Sequence, residues 1–372
     1  MPKFRELGTA VTVVAVLMTV SCVSAPSPNG NDRNLSLERS PSTGPSWATR
    51  TPVLLGPGSA GRGERNSGAV AGAAGSRSAR SGSVPAKPGP TVSPSAAPTP
   101  AVDPEGRPQL PRGGTTLFPR YRLVGYSGGE SSKAFGRLGV GNLDARIREM
   151  ERTGRSYTGG GRQVLPVLEL ITVIVHAGPG PDGKYRARIN DAQIGRFLAA
   201  ARRHRALLLL NIQPGRADFL PEVKGLARWL AEPDVGIALD PEWAVGKGQV
   251  PGRVYGRTTA KELNDVAAYL STFARARGLP EKAMVVHQLA PRIIHRVQDV
   301  RRHPGVEIML SVDGIGSRQD KEATWRKLVK PLPSAIRPGF KLFFEEDREH
   351  GKLMTPRQVL KLKPTPDYVL YE

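Results

Sequence analysis

From about residue 115 onward, short apolar runs alternate with amphipathic segments along the chain. The runs Tyr121–Tyr126, Leu165–Val175, Leu207–Ile212, Val235–Leu239, Met284–Leu289, Val306–Val312, Phe340–Phe344 and Tyr368–Tyr371 are rich in β-prone residues and read as strands. The intervening segments read as helices. Leu143–Thr153 has Asp144 near its start, and Asn190–Arg205 has Asn190 as a cap and Ile194, Phe197 and Leu198 at i, i+3, i+4 spacing. Asp218–Ala231 follows. Thr258 or Thr259 caps a helix that runs to Arg277 and closes at Gly278. Ile293, Ile294, Val297 and Val300 lay a helical stripe on Pro291–Arg302, and Asp320–Val329 and Pro356–Leu362 complete the set.

Eight strand–helix alternations over about 255 residues match the usual size of a (β/α)8 (TIM) barrel, with the last helix absent after Tyr368–Tyr371. Doubly wound sheets alternate too, but no G-x-G-x-x-G or P-loop follows any of these strands. Gly159-Gly160-Gly161 precedes a strand, so it cannot cradle a phosphate at a strand end. The fold class expected is α/β, with residues 113–372 as the barrel domain.

The first third has a different texture. Lys3 and Arg5 precede an apolar stretch, Leu7 to Val20, of signal-peptide length and too short to span a membrane comfortably. It closes on Thr19-Val20-Ser21-Cys22, which resembles a bacterial lipobox; that resemblance implies a signal peptide over 1–22 and a lipid on Cys22. Residues 23–112 are rich in Pro, Ser, Gly, Ala and Arg, with Trp47 the exception to a near absence of aromatics. Such a composition buries too little apolar area to offset chain entropy and reads as a disordered linker. The protein is expected outside the membrane, secreted or held on the extracellular face.

Charge changes the picture less. The chain carries 54 Lys/Arg and 33 Asp/Glu; 12 and 6 of these lie in residues 1–112, leaving 42 and 27 beyond. The surplus on the barrel suits an anionic partner such as a cell-wall polymer or lipid head groups, but no basic helix interleaved with aromatics points to nucleic acid. Cys22 is the one cysteine, so neither an intrachain disulfide nor a cysteine metal site exists. No cofactor motif is present, no histidine cluster has metal-ligand spacing, and a monomer is the expected state.

Barrel active sites lie at the C-terminal strand ends. Read in order, those ends offer Tyr126, Glu169 or His176, Gln213, Asp240 with Glu242, His287 with Gln288, Asp313, Glu345 with Glu346, and Tyr371 with Glu372. The stretch Asp234–Trp243 stands out. The strand Val235–Leu239 suits burial on both faces, and it ends in two carboxylates, Asp240 and Glu242, that alternation places on one side. Such a pair suits acid/base work on a glycosidic bond, with Asp313 or Glu345 as a further partner. Trp243 offers a flat platform for a sugar ring. Tyr126, Glu169, Gln213, Trp243, His287, Gln288 and Tyr371 are the substrate-binding candidates, against bland readings of Glu169 and His287 as satisfied core groups and of Asp313-Gly314 as a turn.

The Asp240-x-Glu242 pair at the fourth strand end resembles the D-x-x-D-x-D-x-E pattern of family 18 chitinases and the Asp-x-Glu of family 25 muramidases. The first resemblance implies that Glu242 is the general acid and Asp240 the residue that orients a substrate N-acetyl group. Val235 and Ala238 replace the two earlier aspartates. The barrel as a whole resembles poorly characterised secreted, glycosidase-like barrels of actinobacteria. A glycoside hydrolase acting on a polysaccharide or peptidoglycan glycan is the function expected. A non-catalytic carbohydrate- or solute-binding lipoprotein on the same scaffold is the alternative, and an anion-binding envelope protein a third.

Overall fold

The structure, a computed structural model, describes residues 98–130 and 135–372. Cys22, the signal-peptide segment and most of the expected linker lie outside the described residues.

Eight parallel strands close into a barrel: β1 Tyr121–Gly128, β2 Gln163–Val175, β3 Leu207–Ile212, β4 Val235–Leu239, β5 Lys282–Gln288, β6 Val306–Val312, β7 Ile336–Leu342 and β8 Tyr368–Tyr371. Each pairs with the next, and β1 pairs with both β2 and β8, so the ring leaves no open edge. Around it lie α1 Leu143–Arg155, α2 Asp191–Arg203, α3 Phe219–Gly225, α4 Ala227–Leu230, α5 Ala260–Arg275, α6 Arg318–Val329, α7 Glu346–Glu349 and α8 Pro356–Val359. This is the (β/α)8 architecture that the alternation predicts. No described helix is long and apolar enough to cross a membrane.

Local chemistry starts these helices where the sequence places the caps. Asn190 and Gln193 form a capping box at α2, as do Ser317 and Asp320 at α6 and Thr355 and Gln358 at α8. The first helix is capped by Asn142, and Asp144 sits in its first turn. The segment 218–231 breaks at Leu226 into α3 and α4.

The expected helix over Pro291–Arg302 does not form. Pro291–Ile293 and Val297–Asp299 are single 3-10 turns, separated by Ile294–His295, which pairs in parallel with Thr258–Thr259. Arg296 has a left-handed φ of 56°, which no helix accommodates. The apolar stripe is still used: Ile293, Ile294, Val297 and Val300 are all buried.

Alternation along the strands splits the apolar residues into two cores. Side chains such as Leu123, Val167, Leu209, Ala238, Val285, Met309 and Leu370 fill the barrel, while Val124, Leu168, Leu208, Ile237, Met284 and Leu310 pack outward against the helices. Gly236 keeps β4 slim, since a Cβ there would come within 2.5 Å of the Ala283 carbonyl oxygen. Leu110, Leu117 and Phe118 join the inner core. The Arg112 guanidinium donates to the Val164 carbonyl at 3.0 Å. The packed domain therefore begins before residue 113.

Candidate active site

Followed two residues at a time, the inward positions turn from apolar to polar at the C-terminal end of every strand. Leu123 and Gly125 lead to Ser127, Val167 to Glu169, Leu209 to Asn211, Ala238 to Asp240, Val285 to His287, Met309 to Ser311 and Asp313, Gly339 to Lys341, and Leu370 to Glu372. Register brings neighbours level: Ser127 pairs with Glu169, and His287 with Ser311.

These groups form one network. His287 is fully buried, with Nδ1 2.6 Å from Asp313 Oδ2 and Nε2 3.0 Å from Glu169 Oε1. Asp240 Oδ1 lies 3.6 Å from the same Nε2 and accepts from Asn211 Nδ2 at 3.2 Å. Asn211 also donates to Glu169 Oε1 at 3.0 Å, and the Tyr368 hydroxyl donates to Glu169 Oε2 at 2.6 Å. Ser311 donates to Asp313 Oδ1 at 2.7 Å. Lys341 Nζ lies 3.3 Å from Asp313 Oδ2 and 2.8 Å from Glu372 Oε2. Among the described residues, no three His, Cys, Asp or Glu side chains are grouped so as to hold a metal ion.

Burial alone would discharge every one of these groups, and their mutual charges decide which stay ionised. For His287, burial is outweighed by Asp313, Glu169 and Asp240, which hold the imidazolium form well above its usual range. Burial of Asp313 is likewise outweighed, by His287 and Lys341, so its carboxylate stays ionised far down the pH scale. Glu169 is lowered despite burial, again by His287 and Lys341. Lys341 is raised by Asp313 and Glu372 in spite of its burial.

Asp240 and Glu242 go the other way. Burial lifts Asp240 to about 6, with His287 and Lys341 only partly opposing it. Glu242 lies in the 3-10 turn Pro241–Trp243 and is partly exposed as a residue, but its Oε2 is buried with no hydrogen-bond partner. Burial, then the charges of Asp240 and Asp313, push it up to about 8. Beside it stands Tyr255, whose hydroxyl is also buried without a partner and is raised to about 12, chiefly by burial.

The sequence candidates therefore separate. Asp240, Glu169, His287 and Asp313 converge in the network, and Glu242 feels its charges. Trp243 is partly exposed on the turn that carries Glu242. Glu345 is not in the network: it is exposed at the start of α7. Tyr126 and Tyr371 face outward. The Tyr126 hydroxyl meets Thr153 Oγ1 at 3.1 Å, and that of Tyr371 meets the Tyr157 hydroxyl at 2.6 Å. Gln213 accepts from the Val175 amide at 3.2 Å, and Gln288 donates to the Ala290 carbonyl at 3.1 Å, so both amides brace backbone. The structure adds Asn211, Lys341, Tyr368, Ser127, Ser311 and Tyr255. For Asn211 and Lys341 a signal existed, a lone polar residue inside an apolar run.

Two surface grooves of about 300 and 380 Å³ lie elsewhere, one beside α6 and α8 and one around Arg112 and Arg205, and neither includes a network residue.

No family profile and no curated protein matches this sequence. Solved structures to which the chain is similar include a GH5-4 broad specificity endoglucanase from Clostridium longisporum, at 11% identity and a TM-score of 0.36, covering 67% of this chain and 86% of that one. Another is described as a glycoside hydrolase-like protein, at 9% identity and a TM-score of 0.35, covering 68% and 83%. At such scores chemistry does not transfer, and the barrel assignment stands on the closed ring of strand pairs.

Proposed function

We propose that the barrel rim is the acid/base centre of a glycoside-hydrolase-like enzyme acting on a polysaccharide or peptidoglycan glycan. One observation carries this reading: a carboxyl oxygen of Glu242 is buried with no hydrogen-bond partner two residues after the buried Asp240, an enclosure that pushes Glu242 up to about 8 and Asp240 to about 6. Two carboxyls whose environments push them apart are what acid/base division of labour requires. Glu242 supplies the proton to the leaving oxygen. Asp240 is its ionised partner, as nucleophile, base or orienting group, and Asp313 with His287 and Lys341 forms a fixed charge array beneath it.

The test is a screen of the full chain against cell-wall, plant and fungal glycans beside Glu242→Gln. Cleavage by the wild type that falls about 10²–10⁴-fold in the variant supports the assignment; cleavage unaffected by the substitution ends it.

The enclosure of the network favours a second reading, since Glu169, His287, Asp240 and Asp313 are all buried. On that reading the barrel binds a saccharide or solute without cleaving it. No glycan is then hydrolysed, and Glu242→Gln leaves affinity intact.

The same proposal places the barrel on the extracellular face, tethered by a lipid on Cys22. Cys22→Ser moves the protein from the membrane fraction to the medium if this is right, and leaves its distribution unchanged if it is not.

A further inference from the structure

We propose that the mouth of the barrel selects saccharides bearing a negative charge, a carboxylate or a phosphate, and that Arg292 with the cations of the β4–α5 loop forms the anion subsite. This deepens the glycosidase reading and shares its site.

The loop between β4 and α5 carries Lys247, Arg253 and Arg257, and between residues 244 and 257 it has no acidic residue. It folds back on the turn that carries Glu242: the Gly256 amide donates to the Glu242 carbonyl at 2.6 Å, and the Arg257 amide to that of Ala244 at 3.0 Å. The β5 loop joins it through the pairing of Thr258–Thr259 with Ile294–His295. From that loop the Arg292 guanidinium lies 5.0 Å over the ring of Tyr255. The Tyr255 hydroxyl and Glu242 Oε2 are both buried and unpartnered.

Lys247, Arg253, Arg257 and Arg292 are exposed, and none has a carboxylate within ion-pair distance among the described residues. Elsewhere many arginines are matched, as Arg186 is by Glu222, Arg202 by Asp234 and Arg337 by Glu307. Exposed cations without a carboxylate partner lie elsewhere too, as Arg326 does on α6, but Arg292 rests on the ring of Tyr255, whose orphaned hydroxyl feels the charge of Glu242 with its own orphaned carboxyl oxygen. A guanidinium seated on an aromatic face keeps its planar fork of N–H donors free, and that fork fits carboxylate and phosphate oxygens in pairs. A neutral sugar hydroxyl can accept a hydrogen bond from this fork but forms neither the paired nor the charge-assisted contact.

Binding by the full chain carrying Glu242→Gln tests the proposal without requiring turnover. The probes are a galacturonate hexamer, a phosphate-substituted oligosaccharide and the neutral hexamer of N-acetylglucosamine, titrated at low and high salt. One or both acidic probes are expected to bind at least tenfold more tightly than the neutral one, and whichever binds identifies the anion. Arg292→Ala should remove most of that preference and Arg292→Lys restore part of it. Arg326→Ala, an exposed arginine on α6, should change nothing. Equal affinity for neutral and acidic probes overturns the proposal, and so does an Arg326→Ala loss as large as that of Arg292→Ala, which would mean bulk charge. If the wild type cleaves no glycan while the Arg292-dependent preference persists, the hydrolytic reading fails and this inference stands.

Discussion

His287 stands between two carboxylates, with Nδ1 2.6 Å from Asp313 and Nε2 3.0 Å from Glu169, and no part of it reaches solvent. Both nitrogens can donate only in the imidazolium form, so the ring is a buried cation held by two anions. Removing it leaves those carboxylates uncompensated. His287→Gln is expected to cost about 3–5 kcal/mol, read as a loss of denaturation midpoint.

The same charges set the pH dependence of stability. Asp313 and Glu169 lie below their ordinary values of 3.8 and 4.5, so their stabilisation is present above those values and is lost as pH falls below them. His287 lies well above 6.5, so its contribution is complete below that value and is lost only as pH rises through the raised one. Thermal scans should show a steep loss of stability below about pH 4 that Asp313→Asn removes in part. A flat acid limb would contradict the network.

Activity is expected to follow a bell. Asp240 must be ionised and Glu242 protonated, so the limbs fall at about 6 and about 8. Lys341 and His287 hold the Asp240 value down, so Lys341→Met should move the acid limb upward and leave the alkaline limb nearly in place. A profile of kcat/KM against pH for both proteins decides this.

Glu242→Gln has a second, opposite effect. A carboxyl raised from 4.5 to about 8 favours the folded state at low pH and opposes it once ionised. The variant should therefore be more stable than the wild type at pH 9, by about 1–3 kcal/mol after allowance for partial exposure, while losing activity. Equal midpoints at that pH would show that the carboxyl is solvated.

Tyr126→Phe and Tyr371→Phe separate binding from packing. The first removes outward hydrogen bonds to Glu149 and Thr153 and the second one to Tyr157, so each should cost about 0.5–1.5 kcal/mol of stability per bond lost and leave KM unchanged. A raised KM in either would return that tyrosine to the site.

The misplacement of those tyrosines shows where sequence reading stopped. In β1, β5 and β8 the polar residues Tyr126, Gln288 and Tyr371 stand beside Ser127, His287 and Glu372, one position apart. One position is the whole difference between the barrel axis and the helical sheath. Strands buried on both faces give no hydropathy signal for that choice. The expected helix at 291–302 failed for a related reason: its stripe predicted burial correctly, and the pairing with Thr258–Thr259 decided the backbone.

The number of strands, their order and the gathering of acids at their C-terminal ends were legible in the chain alone, because alternation and caps are local. The two acids Asp240 and Glu242 were legible as neighbours, but the alternation expected to place them on one side stops at Leu239, because Pro241–Trp243 is a 3-10 turn. Barrel closure alone decided the parity that faces the axis. It brought Glu169, His287 and Asp313 from separate strands to within hydrogen-bond distance, recruited Lys341 as counter-charge and left one carboxyl oxygen of Glu242 without a partner. Ionisation depends on which charges meet in a dry interior, and residues separated by more than a hundred positions meet only when the ring closes.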